Sequence, residues 1–239
     1  MIDLLKQVLD AHGGLERWNR FNSVTATIVT GGGLWAMKGL IQDPKPREMK
    51  VAIHEESASV WPFGKPDWRT AFTPDRIAIE SISGEIVQER QDPRARYAAH
   101  AMNTPWEPLD RAYFNGYAMW TYLTTPFLLS MSGVTVTEIP PLHENGEVWR
   151  GLRAHFPEQI ATHSAEQDFY FGPDFLLRRH DYVVEISGGF AAAQYVYDFE
   201  QVEGLYFPTK RRAYLRGPDM NPVRDLLLVS IDLGNFRLG

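Results

Sequence analysis

The sequence predicts a mainly β protein with an α insert, an antiparallel half-barrel or β-barrel closed by a helical plug. Three observations predict it. Residues 23–90 and 134–234 alternate apolar and polar side chains with period two, and Gly, Pro, Asn and Asp punctuate them at short intervals. Between them lies one interruption, 92–131, whose centre reads PLDRAYFNGYAMWTY and is apolar almost all round a helix. Aromatic residues make up 13% of the chain, including 13 Phe and 10 Tyr, the material of a barrel wall or an apolar pocket. With 239 residues and no linker-like stretch, the chain reads as one domain, 1–239.

Residues 1–21 are helical. Leu4, Leu5, Val8 and Leu9 have amphipathic spacing, Asp3 is placed to cap the start, and Gly13-Gly14 stop the helix. His12 at its end is expected to cap as a protonated imidazole. A second helical turn spans Leu15–Phe21. Strands are then expected at Ser23–Thr30, Leu34–Gln42, Glu48–Glu55, Ala58–Trp61, Trp68–Phe72, Arg76–Ser81 and Glu85–Arg90. Gly31-Gly32-Gly33 is a turn. It lacks the GK[ST] ending of a phosphate loop.

The insert opens with a short helix, Pro93–Met102, behind Asp92 as N-cap. Pro108–Tyr122 is a helix that must be buried on several sides, which places it as a plug across the curled sheet. A further turn covers Phe127–Met131. Strands resume at Val134–Ile139, Glu147–Phe156, Gln167–Phe171, Phe175–Ile186, Phe190–Phe199, Leu205–Arg216 and Asp225–Leu233, with Asn145-Gly146 marking a hairpin.

Alternation along Phe175–Ile186 puts Leu176, Arg178, His180, Tyr182, Val184 and Ile186 on one face, read as the concave interior. His163, Glu166 and Tyr195 can join His180 and Tyr182 from neighbouring strands. A histidine oriented by a carboxylate in an apolar cavity moves protons near neutral pH, and a tyrosine can polarise a carbonyl. The candidate catalytic residues are therefore His180, Tyr182, His163 and Glu166. Bonding of His180 to a backbone carbonyl, or to Asp168 or Glu166, as a purely structural, partly buried histidine is the competing reading. Candidate ligand contacts are Tyr113, Tyr117, Trp120 and Phe127 from the plug, Tyr195, and Arg178 for a carboxylate or phosphate end. The expected function is binding of a hydrophobic or aromatic small molecule in the barrel cavity, with turnover as a cofactor-independent lyase, dehydratase or isomerase. The alternative is a non-catalytic carrier of a lipid or other hydrophobic ligand.

The remaining composition narrows the partners. A net charge of −6 with scattered arginines gives nucleic acid no electrostatic footprint. Cysteine is absent, and no H-x-x-x-H or H-E-x-x-H occurs, so no metal or other cofactor is expected. His155, His163 and His180 could meet only through strand pairing. No G-x-S-x-G elbow exists. No run of 18 apolar residues predicts a membrane span, and the N-terminus shows no signal-peptide pattern, which makes the cytoplasm the expected compartment. His54 falls on the solvent face of its strand.

The order of elements resembles a known family. An N-terminal helix ending in AHGG, a long antiparallel meander, helices inserted midway, and the closing segments FYFGPDFLLRRHDY and VEGLYFPTKRR together resemble the LolA/LolB-type half-barrels. These are lipoprotein carriers and related proteins in which a curved sheet wraps a hydrophobic cavity covered by helices. The resemblance implies that fold and a hydrophobic cavity. It supplies no catalytic residues, and the chain has no cysteine for lipidation.

Overall fold

A computed structural model describes residues 1–239. Thirteen strands form one open antiparallel sheet. The first meander comprises β1 (Ser23–Gly31), β2 (Arg47–Ala52), β3 (Ala58–Trp61), β4 (Trp68–Thr73), β5 (Arg76–Ser81) and β6 (Ile86–Gln91). The second comprises β7 (Thr135–Glu144), β8 (Glu147–His155), β9 (Glu166–Phe171), β10 (Leu177–Val184), β11 (Phe190–Val202), β12 (Leu205–Arg216) and β13 (Pro222–Leu238). The meanders join at the middle, where the first strand pairs with the last: Val24 faces Leu238 and Thr30 faces Ile231. The edges are β6 and β7, so the sheet is a half-barrel and not a closed barrel.

Strand residues behave as their period requires. On β1, Val24, Ala26, Ile28 and Thr30 are buried while the residues between them are partly exposed. The Leu34–Gln42 strand does not form. Leu34–Met37 is instead a helical turn, α3, with Leu34 and Trp35 both buried. Adjacent residues point to opposite faces of a strand, so a helical turn is what lets both enter the core.

Helix α1 (Asp3–Ala11) buries Leu4, Leu5, Val8 and Leu9, and α2 (Leu15–Trp18) buries Trp18. Ile2, not Asp3, occupies the N-cap, and Asp3 accepts from Gln7 within the first turn. Gly13 has φ +114°, and a Cβ there would lie 2.4 Å from the Gly204 carbonyl oxygen, so only glycine permits this close approach to the β11–β12 turn. His12 does cap the helix, through Nδ1–H to the Val8 carbonyl at 2.8 Å. It does so uncharged, because burial lowers its pKa to about 4.

Helix α4 (Pro108–Thr124) lies in the concavity, and every residue from Leu109 to Thr124 is buried. Its start is strongly specified. Pro108 sits at N1, and the Glu107 and Asp110 side chains exchange capping-box bonds with the backbone. Burial opposes the Asp110 charge, yet the Glu107 N–H, Arg90 at 2.7 Å and Arg96 at 3.1 Å hold its pKa below the usual range. These ion pairs fasten the helix start to β6 and to the 3-10 turn Pro93–Ala99 that follows it. Asp92 precedes that turn in a left-handed conformation and makes no side-chain cap. A second 3-10 turn covers Phe127–Ser130. The core of 54 buried residues runs from α1 through α4 to β13, uniting both meanders around the plug.

Candidate functional site

The plug meets the two meanders differently. Toward β2–β5 it packs closely through aromatic rings, with the Trp120 indole N–H as a polar exception. Gly116 lies against Phe72 of β4, and the Tyr113 ring meets the same Phe72 at 5.6 Å. Toward β10–β12 it meets a seam of hydrogen-bonded polar side chains.

That seam forms a chain anchored at Arg211, which has donors only. Arg211 donates through Nη1 to Gln194 Oε1 (2.8 Å) and through Nη2 to the Tyr122 carbonyl (2.6 Å). The Gln194 amide therefore points its NH₂ to Tyr182 Oη, at 3.3 Å. The Tyr182 and Tyr122 hydroxyls share a hydrogen bond at 3.0 Å, and Tyr122 Oη lies 2.7 Å from His163 Nε2. His163 Nδ1 in turn lies 3.2 Å from Tyr117 Oη, so both ring nitrogens are hydrogen-bonded to plug tyrosines. Beside the chain, His180 Nε2–H donates to Gln167 Oε1 at 2.6 Å, and Gln167 donates in turn to Thr162 Oγ1 and the Ser164 carbonyl. The rings pack as tightly as the polar atoms. His163 stacks on Tyr182 at 4.0 Å, and His180 stacks on Phe169 at 4.2 Å.

Electrostatics keep the seam neutral apart from one cation. Burial lowers the His163 pKa to about 3, with Arg94 adding to the effect, and drives His180 well below the usual range with His163 and Arg211 contributing. Burial raises the Tyr122 hydroxyl to about 12 and lifts Tyr182 well above its ordinary value. Arg211 is 1% exposed and has no carboxylate partner. Burial lowers its pKa to about 10. Its charge is set against the last turn of α4, where the Tyr122 carbonyl is one of the oxygens with no partner inside the helix. The Tyr122 ring also lies under the guanidinium, 4.8 Å away.

Alternation thus places His180 and Tyr182 inward as expected, and the fold brings His163 and Tyr117 to them. Other expected members lie elsewhere. Glu166 is exposed and pairs with Arg153 at 3.2 Å. The residue facing His180 is its neighbour Gln167, so neither Glu166 nor Asp168 touches the histidine. Tyr195 points to the convex face because register sets Gln194, not Tyr195, opposite His180. There Tyr195 donates to Glu144 and accepts from Arg179, whose own partner is Asp181 at 2.7 Å. Both faces of β10 are therefore buried. Arg178 leaves the interior at a register shift between Leu177 and Arg179 and pairs with Asp174 on the hairpin turn.

The plug residues divide as well. Trp120 donates its indole N–H to the Ala52 and Glu55 carbonyls, which pins the β2–β3 turn. Phe127 stacks on Trp18 at 4.4 Å. Tyr113 borders a cleft of about 500 Å³ at the mouth of the half-barrel. Sequence reasoning missed Tyr122, Gln194, Gln167 and Arg211. Only Arg211 carried a local signal: in Lys210-Arg211-Arg212 one residue must face opposite to its neighbours, and Arg211 is the one turned inward. His54 is exposed as expected, but it lies in the bend after β2 and not on a strand face. No three His, Asp or Glu side chains converge as metal ligands would, and no helix is long and apolar enough to cross a membrane.

No protein-family model matches the chain, and no curated protein matches its sequence. Solved structures do match its shape. A LolA superfamily protein from Nitrosomonas europaea aligns with TM-score 0.55 at 9% identity, over 98% of this chain and 92% of that one. A domain from Vibrio parahaemolyticus assigned to outer membrane lipoprotein sorting aligns with TM-score 0.53 at 8% identity, covering 98% and 93%. A DUF1329 family protein from Desulfovibrio piger aligns with TM-score 0.52 at 12% identity, covering 99% and 94%. The chain has the LolA-like fold, end to end.

Proposed function

We propose that this protein binds and carries a hydrophobic, acyl- or aromatic-bearing molecule between α4 and the concave face of its sheet. The observation that carries this reading is the asymmetry around α4, which packs on β4 through aromatic rings with Trp120 as its one hydrogen-bonded exception toward β2, and meets β10–β12 through a chain of hydrogen bonds. Water can replace the partners along a polar seam, at a net loss of only about 0.5–1.5 kcal/mol per hydrogen bond. Separating the apolar side would expose Phe72, Tyr113 and their neighbours at about 25 cal/mol per Å². The seam is therefore where an elongated ligand would enter, with the freed aromatic rings of Tyr117, Tyr122 and Tyr182 as its walls. The fold shared with a LolA superfamily protein and a lipoprotein-sorting domain supports carriage of this kind.

Acid–base turnover is less well supported than carriage. Neither His163 nor His180 touches a carboxylate, and burial keeps both imidazoles neutral. A histidine and a tyrosine remain in contact, but the third member of the expected assembly faces solvent.

Native mass spectrometry of protein purified from cells tests the proposal, supported by titration with a fluorescent fatty acid. The expected result is a co-purifying apolar molecule, released on mild denaturation and displaced by the fatty acid. A bare polypeptide mass together with no fatty-acid binding at micromolar concentration would overturn it.

A further inference from the structure

Two arginines on the flank of α4 away from the seam are buried together without an opposite charge. Arg47 opens β2, and strand alternation turns it inward with Met49 and Val51. Arg111 comes from the start of α4. They are 4% and 8% exposed, and the Arg47 charge acts on Arg111. Arg47 donates through Nη2 to Thr30 Oγ1 at 2.6 Å, and Arg111 through Nη1 to the Ile41 carbonyl at 3.0 Å. Neither forms an ion pair. The charge of Asp43 reaches both, but its carboxylate accepts from the Lys45 N–H and bonds to neither arginine.

Their remaining donors supply an independent observation. Arg47 Nε, Arg111 Nε and Arg111 Nη2 are buried with no hydrogen-bond partner, and so is Asn115 Nδ2, one turn further along the same side of α4. The Trp35 ring lies 4.5 Å from the Arg111 guanidinium, which favours the charge but offers those N–H groups no oxygen. Burial lowers both guanidinium pKa values, that of Arg111 to about 10 with Arg47 adding to the effect. Buried like charges are unfavourable until an opposite charge joins them. Water can accept from the donors but brings no charge. A phosphate group does both, because its oxygens accept several N–H groups at once and its charge approaches that of the two guanidiniums. Gln42 Oε1 is also buried without a partner. It lies beside Arg47 through their shared Thr30 hydroxyl and can accept the P–OH of a singly protonated phosphate.

We propose that Arg47 and Arg111 form a binding site for a phosphate group, which enters by displacing the Ile41 carbonyl from Arg111. The cover over the pair is slight. Residues 39–46, between α3 and β2, form neither helix nor strand, and the Ile41 side chain is 91% exposed. That segment reaches Arg111 through a single backbone carbonyl. A phosphate oxygen in its place exchanges a dipole for a full negative charge, which gives a charge-assisted hydrogen bond. This inference does not depend on the carrier reading, since it uses the other flank of α4. Soluble phosphates and the head groups of phosphate-bearing amphiphiles share the chemistry.

Calorimetric titration of the full chain tests it, using inorganic phosphate and dihexanoyl phosphatidic acid below its micelle concentration, with chloride holding the ionic strength constant. Saturable binding is expected, weakened by about tenfold or more in Arg47→Met and in Arg111→Met, where methionine keeps most of the buried stem. Asp43→Asn keeps the acceptor for the Lys45 N–H and removes the opposing charge, so it should tighten binding by about threefold. Phosphatidic acid bound more tightly than inorganic phosphate, and lost with the arginines, supports the site with an amphiphile's head group as its occupant. Equal or tighter binding of inorganic phosphate supports it with a soluble phosphate. Absence of saturable binding by both, or binding that the methionine variants leave unchanged, overturns the proposal. If those variants fail to fold, Asp43→Asn decides alone, and unchanged binding there overturns it.

Discussion

The Tyr122 hydroxyl lies 2.7 Å from His163 Nε2, joining the plug helix to the β8–β9 connection across 41 residues of sequence. It is also hydrogen-bonded to Tyr182, so one phenolic hydroxyl serves two buried partners. Tyr122→Phe should therefore destabilise the fold by about 1–3 kcal/mol, because two buried polar atoms lose their partner together. Chemical denaturation measures this. In a double-mutant cycle with Tyr182→Phe the two losses should fall short of additive, since the variants remove the same bond.

The histidines make stability depend on acid. His163, His12 and His180 all have folded-state pKa values below their ordinary value of 6.5, to about 3 for the first and about 4 for the second. The unfolded chain thus takes up protons below 6.5 that the folded chain refuses. The stabilisation is complete above pH 6.5 and drains away as pH falls toward 3. Each histidine contributes a slope of about 1.4 kcal/mol per pH unit within its window. Urea titrations at a series of pH values should show this fall, and His163→Gln should remove one such contribution from the slope.

Glu56 gives the opposite dependence. Its Oε2 accepts from the Ala161 N–H at 2.9 Å, while Oε1 is buried without a partner. Burial raises its pKa well above the usual carboxylate value, with the Ala161 hydrogen bond and Arg94 opposing the shift. The folded state then binds the proton more tightly than the unfolded state, so this group's contribution is full below pH 4.5 and is lost as pH rises. Glu56→Gln keeps the acceptor for Ala161 and cannot ionise. The variant should gain stability over the parent at pH 8 and lose that advantage by pH 4.5, as denaturant midpoints at the two pH values would reveal.

Gly116 sets how deeply α4 sits in the sheet. A Cβ there would lie 2.3 Å from Phe72 Cγ and 2.6 Å from Phe72 Cβ, atoms at the rigid base of that side chain. Gly116→Ala gains about 1 kcal/mol of helix propensity. It also forces an overpacking cost of about 1–3 kcal/mol. Net destabilisation is expected, and in combination with Phe72→Ala the two losses should fall short of additive, because the Cγ clash is removed while the Cβ contact at 2.6 Å stays. Thermal unfolding of the single and double variants decides the matter.

Local chemistry fixed much of this architecture. The plug was visible in PLDRAYFNGYAMWTY because only a helix buried on several sides can be apolar all round. Most strands were visible in their period, and the inward direction of His180 and Tyr182 followed from the same period. Leu34–Gln42 was misread because two adjacent core residues, Leu34 and Trp35, require a helical turn that the surrounding alternation hides.

Residue pattern therefore settled which segments are strands, which helix is swallowed, and which side chains of one strand share a face. Tertiary structure alone decided which strands are neighbours and in what register. The pairing of β1 with β13, 200 residues apart, leaves no local trace, and neither does the choice of Gln194 over Tyr195 or Gln167 over Glu166 as the partner in the seam. A one-residue difference in register moves a side chain to the opposite face of the sheet. Arg211 likewise finds its place only because the last turn of α4 arrives beside β12, offering a buried carbonyl where a carboxylate would otherwise be needed.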